Sequence, residues 1–381
     1  MKKVSVIGVG RLGLCFALTL ERGGYNVLGC DINESYVNAL NNKVFTSTEP
    51  NLNEFFHEAT NFKATVDYPQ TVAHGDIIFV LVHTETEKNG KYDHSHVESV
   101  LSSLQQLGPQ EVQKHLVICS NINPGYSNEI AERLRPLNWT VSYNPEMVAQ
   151  GTILQNQAFP DCVYIGTESE KLGNDLKEVY DNICLNSPQV FVMDRLSAEL
   201  TKVSINCFLT VKISFANMVG DLAVKMKANP AKVLEAAGAD SRINHKFFRY
   251  GFGWGGPCFP RDTRAFMRNA EDQGVNAFLV KAADAMNQEH LSFQVEQFLL
   301  QHDKEDPIIF DASGECISDG IIFEGVAYKK GTTIIEESQQ LAFAAAVAEN
   351  GYDVTVIDLP ETITQVKATY GNVFNYEEIS E

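Results

Sequence analysis

The sequence is poor in several features, and each shortage excludes something. Its eight cysteines, Cys15, Cys30, Cys119, Cys162, Cys184, Cys207, Cys258 and Cys316, are scattered, with no CxxC pair and no regular spacing. That argues against a disulfide framework and against a zinc ribbon, so reduced thiols, no metal and a cytoplasmic setting are expected. No uninterrupted apolar run reaches the roughly 18 residues of a membrane span. The opening Met1-Lys2-Lys3 leads straight into the strand-like Val4-Ser5-Val6-Ile7, which does not read as a signal peptide. Positive charge is also scarce: 30 Lys and Arg against 49 Asp and Glu give a net charge of −19. Nucleic acid and anionic membranes both need surplus cations, so neither is an expected partner. A small anionic substrate remains possible, because a few basic residues suffice for a local pocket. Repeats and low-complexity segments are missing too, which leaves a scaffold role without support. What is present is an ordinary globular composition, 44% apolar and 10% aromatic over 381 residues, enough for two or three domains.

The first 31 residues hold a compact pattern. The apolar run Val4–Ile7 reads as a buried strand, Gly8-Val9-Gly10-Arg11-Leu12-Gly13 follows at once, and Leu14–Arg22 reads as a helix. Tyr25–Asp31 is a second strand that ends in an acid. This is G-x-G-x-x-G between strand and helix, the context in which it binds a dinucleotide. The first glycine makes the tight turn, the second admits a pyrophosphate to the backbone, and the third lets helix and sheet pack closely. The phosphates belong at the helix N-terminus. Asp31 is placed to accept hydrogen bonds from ribose hydroxyls and to repel a 2′-phosphate, so NAD is expected rather than NADP. Further apolar strands, 76–82, 115–120 and 140–143, end in His83-Thr84-Glu85, in Asn121 to Gly125 and in Asn144-Pro145-Glu146. Ligands of parallel sheets lie at such carboxyl ends, so Thr84, Asn121 and Glu146 are expected at the rim of the cofactor site. Alternating strands and helices make this an α/β domain with a mostly parallel sheet, continuing through 162–166 and 189–192.

A second cluster is Gly255-Gly256-Pro257-Cys258-Phe259-Pro260-Arg261-Asp262. Pro260 suits the first turn of a helix, and Phe266, Met267 and Ala270 recur at helical spacing. A thiol at a helix N-terminus sits in positive partial charge, which favours the nucleophilic thiolate. The neighbouring glycines are expected to let a substrate approach the backbone. Between the two clusters, residues 196–227 contain no proline and one glycine, Gly220. Leu200, Val203, Cys207, Val211, Phe215, Met218 and Leu222 form one apolar stripe. Such a helix is too long for one small domain, and is expected to bridge domains or to supply a dimer interface. Glu199, Lys202 and Asn206 line a second face, with Lys202 and Asn206 one turn apart.

Taken in order along the chain, these motifs resemble the UDP-glucose/GDP-mannose dehydrogenase family. The resemblance rests on the glycine fingerprint, Asn144-Pro145-Glu146, Ala198-Glu199-Leu200-Thr201-Lys202 with Asn206, Asp240-Ser241-Arg242-Ile243, the Gly255–Asp262 segment and Gly325-Val326-Ala327-Tyr328-Lys329. It implies an N-terminal Rossmann domain (1–195), a long central helix with an all-α middle domain for substrate and dimerisation (196–295), and a shortened C-terminal Rossmann-like domain (296–381). It also implies NAD-dependent four-electron oxidation of the C6 hydroxymethyl of a nucleotide sugar such as UDP-glucose, by a homodimer. Cys258 would be the nucleophile, Lys202 and Asn206 would hold the developing oxyanion, Asp262 would relay protons with Lys202, and Glu146 would activate the hydrolytic water. Gly8, Gly10, Arg11, Leu12, Gly13, Asp31, Thr84 and Asn121 would bind the cofactor. Arg242, Lys246, Phe247, Gly255 and Lys329 would bind the substrate, Arg242 from the neighbouring subunit, with Phe252 and Trp254 as further aromatics of the loop.

The sequence departs from the family pattern at several points. Asn121 follows Ser120 where the family has threonine, Gln150 replaces a glutamate, and Pro257 replaces a small polar residue. Beyond Lys329, Thr333 and Ile334 replace an Asp pair, and Glu336 replaces an arginine, putting negative charge where a diphosphate is expected. Residues 364–381 are fewer than the family uses to finish its last domain, and the Glu-rich end is expected to fray. Two other readings remain at this stage: a two-electron hydroxyacid-type dehydrogenase, and a catalytically degenerate NAD-binding regulatory protein.

Overall fold

A computed structural model describes residues 1–302, 309–310, 316–318 and 321–379, with 309–310 and 316–318 described by their backbone alone. The chain forms two compact units, Met1–Lys202 and Val203–Glu381.

The first unit is built on eight strands: β1 (Lys3–Ile7), β2 (Asn26–Cys30), β3 (Phe62–Thr65), β4 (Ile77–Val80), β5 (Lys114–Ile118), β6 (Trp139–Tyr143), β7 (Cys162–Gly166) and β8 (Gln189–Met193). Their order is β3-β2-β1-β4-β5-β6-β7-β8. Pairing is parallel from β3 to β6, β7 meets β6 antiparallel, and β8 is parallel to β7. Strands buried on both faces read as continuous apolar runs, which is why most of them were legible. Helices cover the two faces, one through Phe16, Leu20 and Leu176, the other through Val100, Leu104 and Ile130. The chain reverses direction across the sheet between β1 and β4, and the crevice beyond those strand ends is where such sheets bind ligands.

In the second unit the helices Pro230–Gly238, Phe259–Asp272 and Phe278–Gln301 precede a smaller sheet. Its strands are β9 (Ile309–Phe310), β10 (Cys316–Ser318), β11 (Ile322–Glu324), β12 (Thr355–Asp358) and β13 (Asn375–Glu378), in the order β10-β9-β11-β12-β13. All pairs are parallel except β10 with β9. The helices Gln339–Glu349 and Pro360–Tyr370 close its core around Phe298, Phe343, Val347, Val356 and Ile363. The expected frayed tail is therefore corrected. Residues 360–370 are helical and Asn375–Glu378 adds an edge strand, because Val366 and Phe374 supply apolar anchors between the acids.

The long helix, Arg195–Lys225, begins in the first unit and ends in the second. With a mean hydropathy of 1.4 over its most apolar window, it is long and apolar enough to cross a membrane, which a search for unbroken apolar runs does not detect. Its buried face nevertheless carries Asn206, Thr210, Ser214, Asn217 and Asp221, all hydrogen-bonded within the protein as in a core helix. The apolar stripe read from the sequence is only partly buried. Val203 and Cys207 are core, whereas Leu200, Phe215, Met218 and Leu222 are exposed.

Candidate functional site

In the first unit the glycine fingerprint joins β1 to the helix Arg11–Arg22. Gly8 has φ +86°, and a Cβ there would lie 2.8 Å from the Leu81 carbonyl oxygen. A Cβ on Gly13 would lie 1.8 Å from the Gly8 carbonyl oxygen, so helix and turn touch backbone to backbone. Gly10 differs: nothing lies within 4 Å of its missing Cβ, which leaves the helix N-terminus open to a pyrophosphate. Leu12 packs into the core behind this turn, and Arg11 donates to the Gln150 side chain at 3.1 Å. Asp31 follows β2, its carboxylate accepting from the Asn33 N–H at 3.1 Å. Thr84 and Asn121 come together beyond β4 and β5, the threonine hydroxyl donating to the Asn121 carbonyl at 3.0 Å. The residues present fit a dinucleotide.

Glu146 follows β6. Burial pushes its carboxyl up to about 7, against the Gln157 amide that donates to it at 2.9 Å and the positive charge of Lys202, which both pull it down. It borders a cavity of about 20 Å³ shared with Phe16, Gln157 and Tyr180, room for roughly one water. Tyr180 donates to Asn144 at 2.6 Å, and Asn144 donates to the Tyr164 carbonyl at 2.8 Å, which fixes the start of this loop. Farther along, buried Glu49 accepts from the N–H groups of Gly151 and Ile153 at 2.9 and 2.8 Å, anchoring the loop at the head of the helix Ile153–Ala158. Lys202 is buried on the long helix. One turn earlier, Glu199 accepts from Gly125 and Ser127 N–H at 2.6 and 2.9 Å, capping the helix Tyr126–Leu134. Glu49, Gln157 and Tyr180 were not legible as site residues, because an isolated polar residue in a sequence does not reveal which distant backbone it will satisfy.

In the second unit Cys258 is the N-cap of the helix Phe259–Asp272, and it is exposed. Burial raises the thiols of Cys15, Cys119 and Cys184, and pushes Cys207 up to about 12 with help from the Asp262 charge. The surface position of Cys258 at a helix N-terminus is the setting in which a thiol is most reactive. Asp262, fully buried one turn on, accepts from Asn206 at 2.6 Å and from Arg261 at 3.3 Å. Asn206 is thus held by Asp262 from the first turn of the cysteine helix, with Lys202 one turn before it on the long helix.

The paired glycines pack against another segment of the chain on the side where a Cβ would stand. A Cβ on Gly255 would lie 2.0 Å from the Glu337 carbonyl oxygen, and one on Gly256 would lie 2.3 Å from the Tyr328 ring. They are glycines because the segment from Tyr328 to Glu337 packs onto them, with Gly256 at φ +76° and Glu337 itself at φ +47°. Trp254 is 4% exposed, its indole N–H donating to Ser214 at 2.9 Å, so it is a core residue. Phe247 is exposed at φ +58°, with its ring 6.4 Å from that of Phe259. Lys246 is exposed beside it, and Lys329 is half-buried in the Tyr328 segment. Arg242 lies on the surface, paired with its own Asp240 at 2.7 Å. Exposed Glu336 precedes Glu337, whose carboxylate pairs with Arg264 at 2.7 Å.

Comparison with known proteins agrees with this architecture. The NAD-binding-domain model of the UDP-glucose/GDP-mannose dehydrogenase family matches residues 2–184, and the central-domain model of the same family matches residues 196–289. A UDP-glucose 6-dehydrogenase of Pseudomonas aeruginosa is 29% identical over 97% of this chain and 81% of its own length. The structure of a UDP-glucose dehydrogenase from Pyrobaculum islandicum superposes with a TM-score of 0.86 at 29% identity, covering all of this chain and 86% of that one. A UDP-D-ManNAc dehydrogenase from Pyrococcus horikoshii shares the fold at a TM-score of 0.76 and 22% identity, over all of this chain and 96% of that one.

Proposed function

We propose that this chain, a member of the UDP-glucose/GDP-mannose dehydrogenase family and hence an NAD-dependent oxidoreductase, oxidises the C6 hydroxymethyl of a UDP-glucose-like nucleotide sugar to the carboxylate. The overall change is RCH2OH + 2 NAD+ + H2O giving RCOO− + 2 NADH + 3 H+. Gly8, Gly10, Arg11, Leu12, Gly13, Asp31, Thr84 and Asn121 would hold the dinucleotide, which would supply the hydride acceptor for each oxidation. The protein's own residues supply the rest. Cys258 Sγ adds to the aldehyde left by the first oxidation and forms a thiohemiacetal. Loss of the second hydride leaves a thioester, and water cleaves it to acid and thiol, so one hard step becomes several easier ones. Lys202 and Asn206 stabilise the oxyanions, Asp262 moves the proton with Lys202, and Glu146 activates the water. Arg242, Lys246, Phe247, Gly255 and Lys329 are assigned to the substrate. The domains are assigned as 1–195, 196–295 and 296–381, and the protein as a cytoplasmic homodimer.

The observation that carries this reading is the exposed Cys258 thiol at a helix N-terminus, followed one turn on by a buried Asp262 that binds Asn206. Purified protein given NAD+ and limiting UDP-glucose is expected to release about two NADH per sugar, and Cys258→Ala to form no acid while still binding NAD+. One NADH per sugar, or acid formation by Cys258→Ala, would overturn it.

A further inference from the structure

Two helices of the second unit offer polar side chains to the same stretch of chain. The long helix presents Ser214, Asn217 and Asp221, and the helix Phe278–Gln301 presents Asn287, His290 and Gln294. Both sets follow i, i+3, i+7, so each lies on one face. Between them runs Tyr250–Trp254, the segment that leads into Gly255–Cys258. Trp254 N–H donates to Asn287 Oδ1 at 2.9 Å, and the Asn287 amide donates back to the Trp254 carbonyl at 2.8 Å. Gly251 N–H donates to Asn217 at 3.2 Å, and the Tyr250 hydroxyl donates to Asp221 Oδ1 at 2.9 Å. The Tyr250 ring lies against Gly220, where a Cβ would come within 1.9 Å of it. The Gly251 carbonyl faces His290 Nε2 at 2.6 Å, and His290 Nδ1 lies 2.9 Å from both Asp221 carboxylate oxygens.

His290 is 1% exposed, so its two ring nitrogens must find partners within the protein. A carbonyl only accepts, and an ionised carboxylate only accepts. Both contacts are satisfied when Nε2 carries a proton for Gly251 and a second proton sits between Nδ1 and Asp221. Without that second proton, one of the two contacts becomes a pair of buried lone pairs facing each other, which is costly. The other titratable groups nearby do not replace that proton. Tyr250 already donates to Asp221. Lys225, one turn along the long helix, pairs with Glu296 at 3.2 Å. The helix Gln339–Glu349, packed on the helix of His290, carries only Glu349 as a charge.

We propose that His290 and Asp221 form a hydrogen-bonded latch that fixes the Tyr250–Trp254 segment and thereby positions Cys258. His290 is a positioning residue: it touches the segment's backbone. The segment's consequence for turnover rests on the reading of Cys258 given above, but its rigidity does not. Two measurements therefore separate the two. In the full chain, amide protection factors of Gly251 to Trp254 are expected to fall about tenfold in His290→Leu, which has no donor for the Gly251 carbonyl, and to be largely restored in His290→Gln, which keeps one. If UDP-glucose is turned over, His290→Leu is expected to raise the sugar KM about tenfold while leaving the NAD+ KM unchanged. Protection of Gly251 to Trp254 that is the same in wild type and His290→Leu, or equally lost in His290→Leu and His290→Gln, overturns the latch whatever the substrate. No turnover with the expected protection pattern overturns the functional reading alone. Where His290→Leu does not fold, Asp221→Ala, which removes the other half of the latch, carries the same expected loss of protection and the same contrary outcome.

Discussion

Glu146 shows how one half-buried, desolvated carboxyl ties chemistry to stability. Its group is raised from 4.5 to about 7 chiefly by burial. Between those values the folded chain holds a proton that the unfolded chain has released. Stability therefore falls as pH rises from 4.5 to 7, with no penalty below that window and the full penalty above it. The penalty is on the order of 3 kcal/mol at most. Glu146→Gln is expected to remove this slope, so that denaturant midpoints of wild type and variant diverge between pH 4.5 and 8 with the variant the more stable at the alkaline end. Parallel curves would show that desolvation does not raise this carboxyl. A base poised near neutrality also suits water activation. The same variant, mixed with NAD+ and sugar, is expected to accumulate a covalent adduct visible as added mass. Glu146 was legible from the Asn-Pro-Glu triplet at a strand end, but the environment that tunes it was not. That environment depends on Gln157 and Tyr180, which the fold brings in from 11 and 34 positions away.

At the scale of elements, the long helix was the clearest prediction and the most instructive miss. Its length and continuity follow from the absence of proline and from apolar spacing, and both are present in Arg195–Lys225. Its faces were harder to read. The apolar stripe through Phe215 and Leu222 is exposed, while the hidden face carries Ser214, Asn217 and Asp221, because that face meets the Trp254 indole N–H, the Gly251 N–H and the Tyr250 hydroxyl of one loop. Periodicity marks where like residues align but does not say which side meets water when a helix has polar partners inside. Gly220 illustrates the point, since the sequence shows only an interruption. Replacing a helix-interior glycine by alanine normally gains up to about 1 kcal/mol of helix propensity. Here the new methyl would meet the Tyr250 ring near its root, at 1.9 Å from Cδ2, where rotation about the side chain gives little relief. Overpacking of that kind typically costs about 1–3 kcal/mol. Gly220→Ala is therefore expected to lower stability by about 1–2 kcal/mol net, measured by urea unfolding. Adding Tyr250→Ala is expected to make the glycine replacement neutral or favourable, and an unchanged penalty in that background would rule out the ring as its cause.

For the whole molecule, the distribution of apolar surface and of charge bears on assembly. Phe208, Phe215 and Leu222 are 66%, 51% and 60% exposed and recur every seven residues along the long helix, with Met218 and Met226 beside them. A contiguous apolar stripe on a chain of net charge −19 is the kind of surface that is covered in solution, and a heptad repeat matches the geometry of a second helix. We assign the interface of the proposed homodimer to this stripe. Its energetics follow from two opposing terms: burial of the aromatic and aliphatic side chains favours association, and bringing two strongly acidic chains together opposes it. Burial is short-ranged and insensitive to moderate salt, whereas the repulsion is screened once the Debye length shrinks toward about 8 Å. Dimerisation is therefore expected to tighten, not weaken, as salt rises from about 20 mM to about 150 mM, the opposite of an interface held by ion pairs. Sedimentation equilibrium across that series tests the sign. Phe208→Asp combined with Leu222→Asp adds repulsion while removing the apolar anchors, and is expected to leave a folded monomer at every salt concentration. A wild-type chain that stays monomeric throughout, or a double variant that still dimerises, would place the interface elsewhere or remove it.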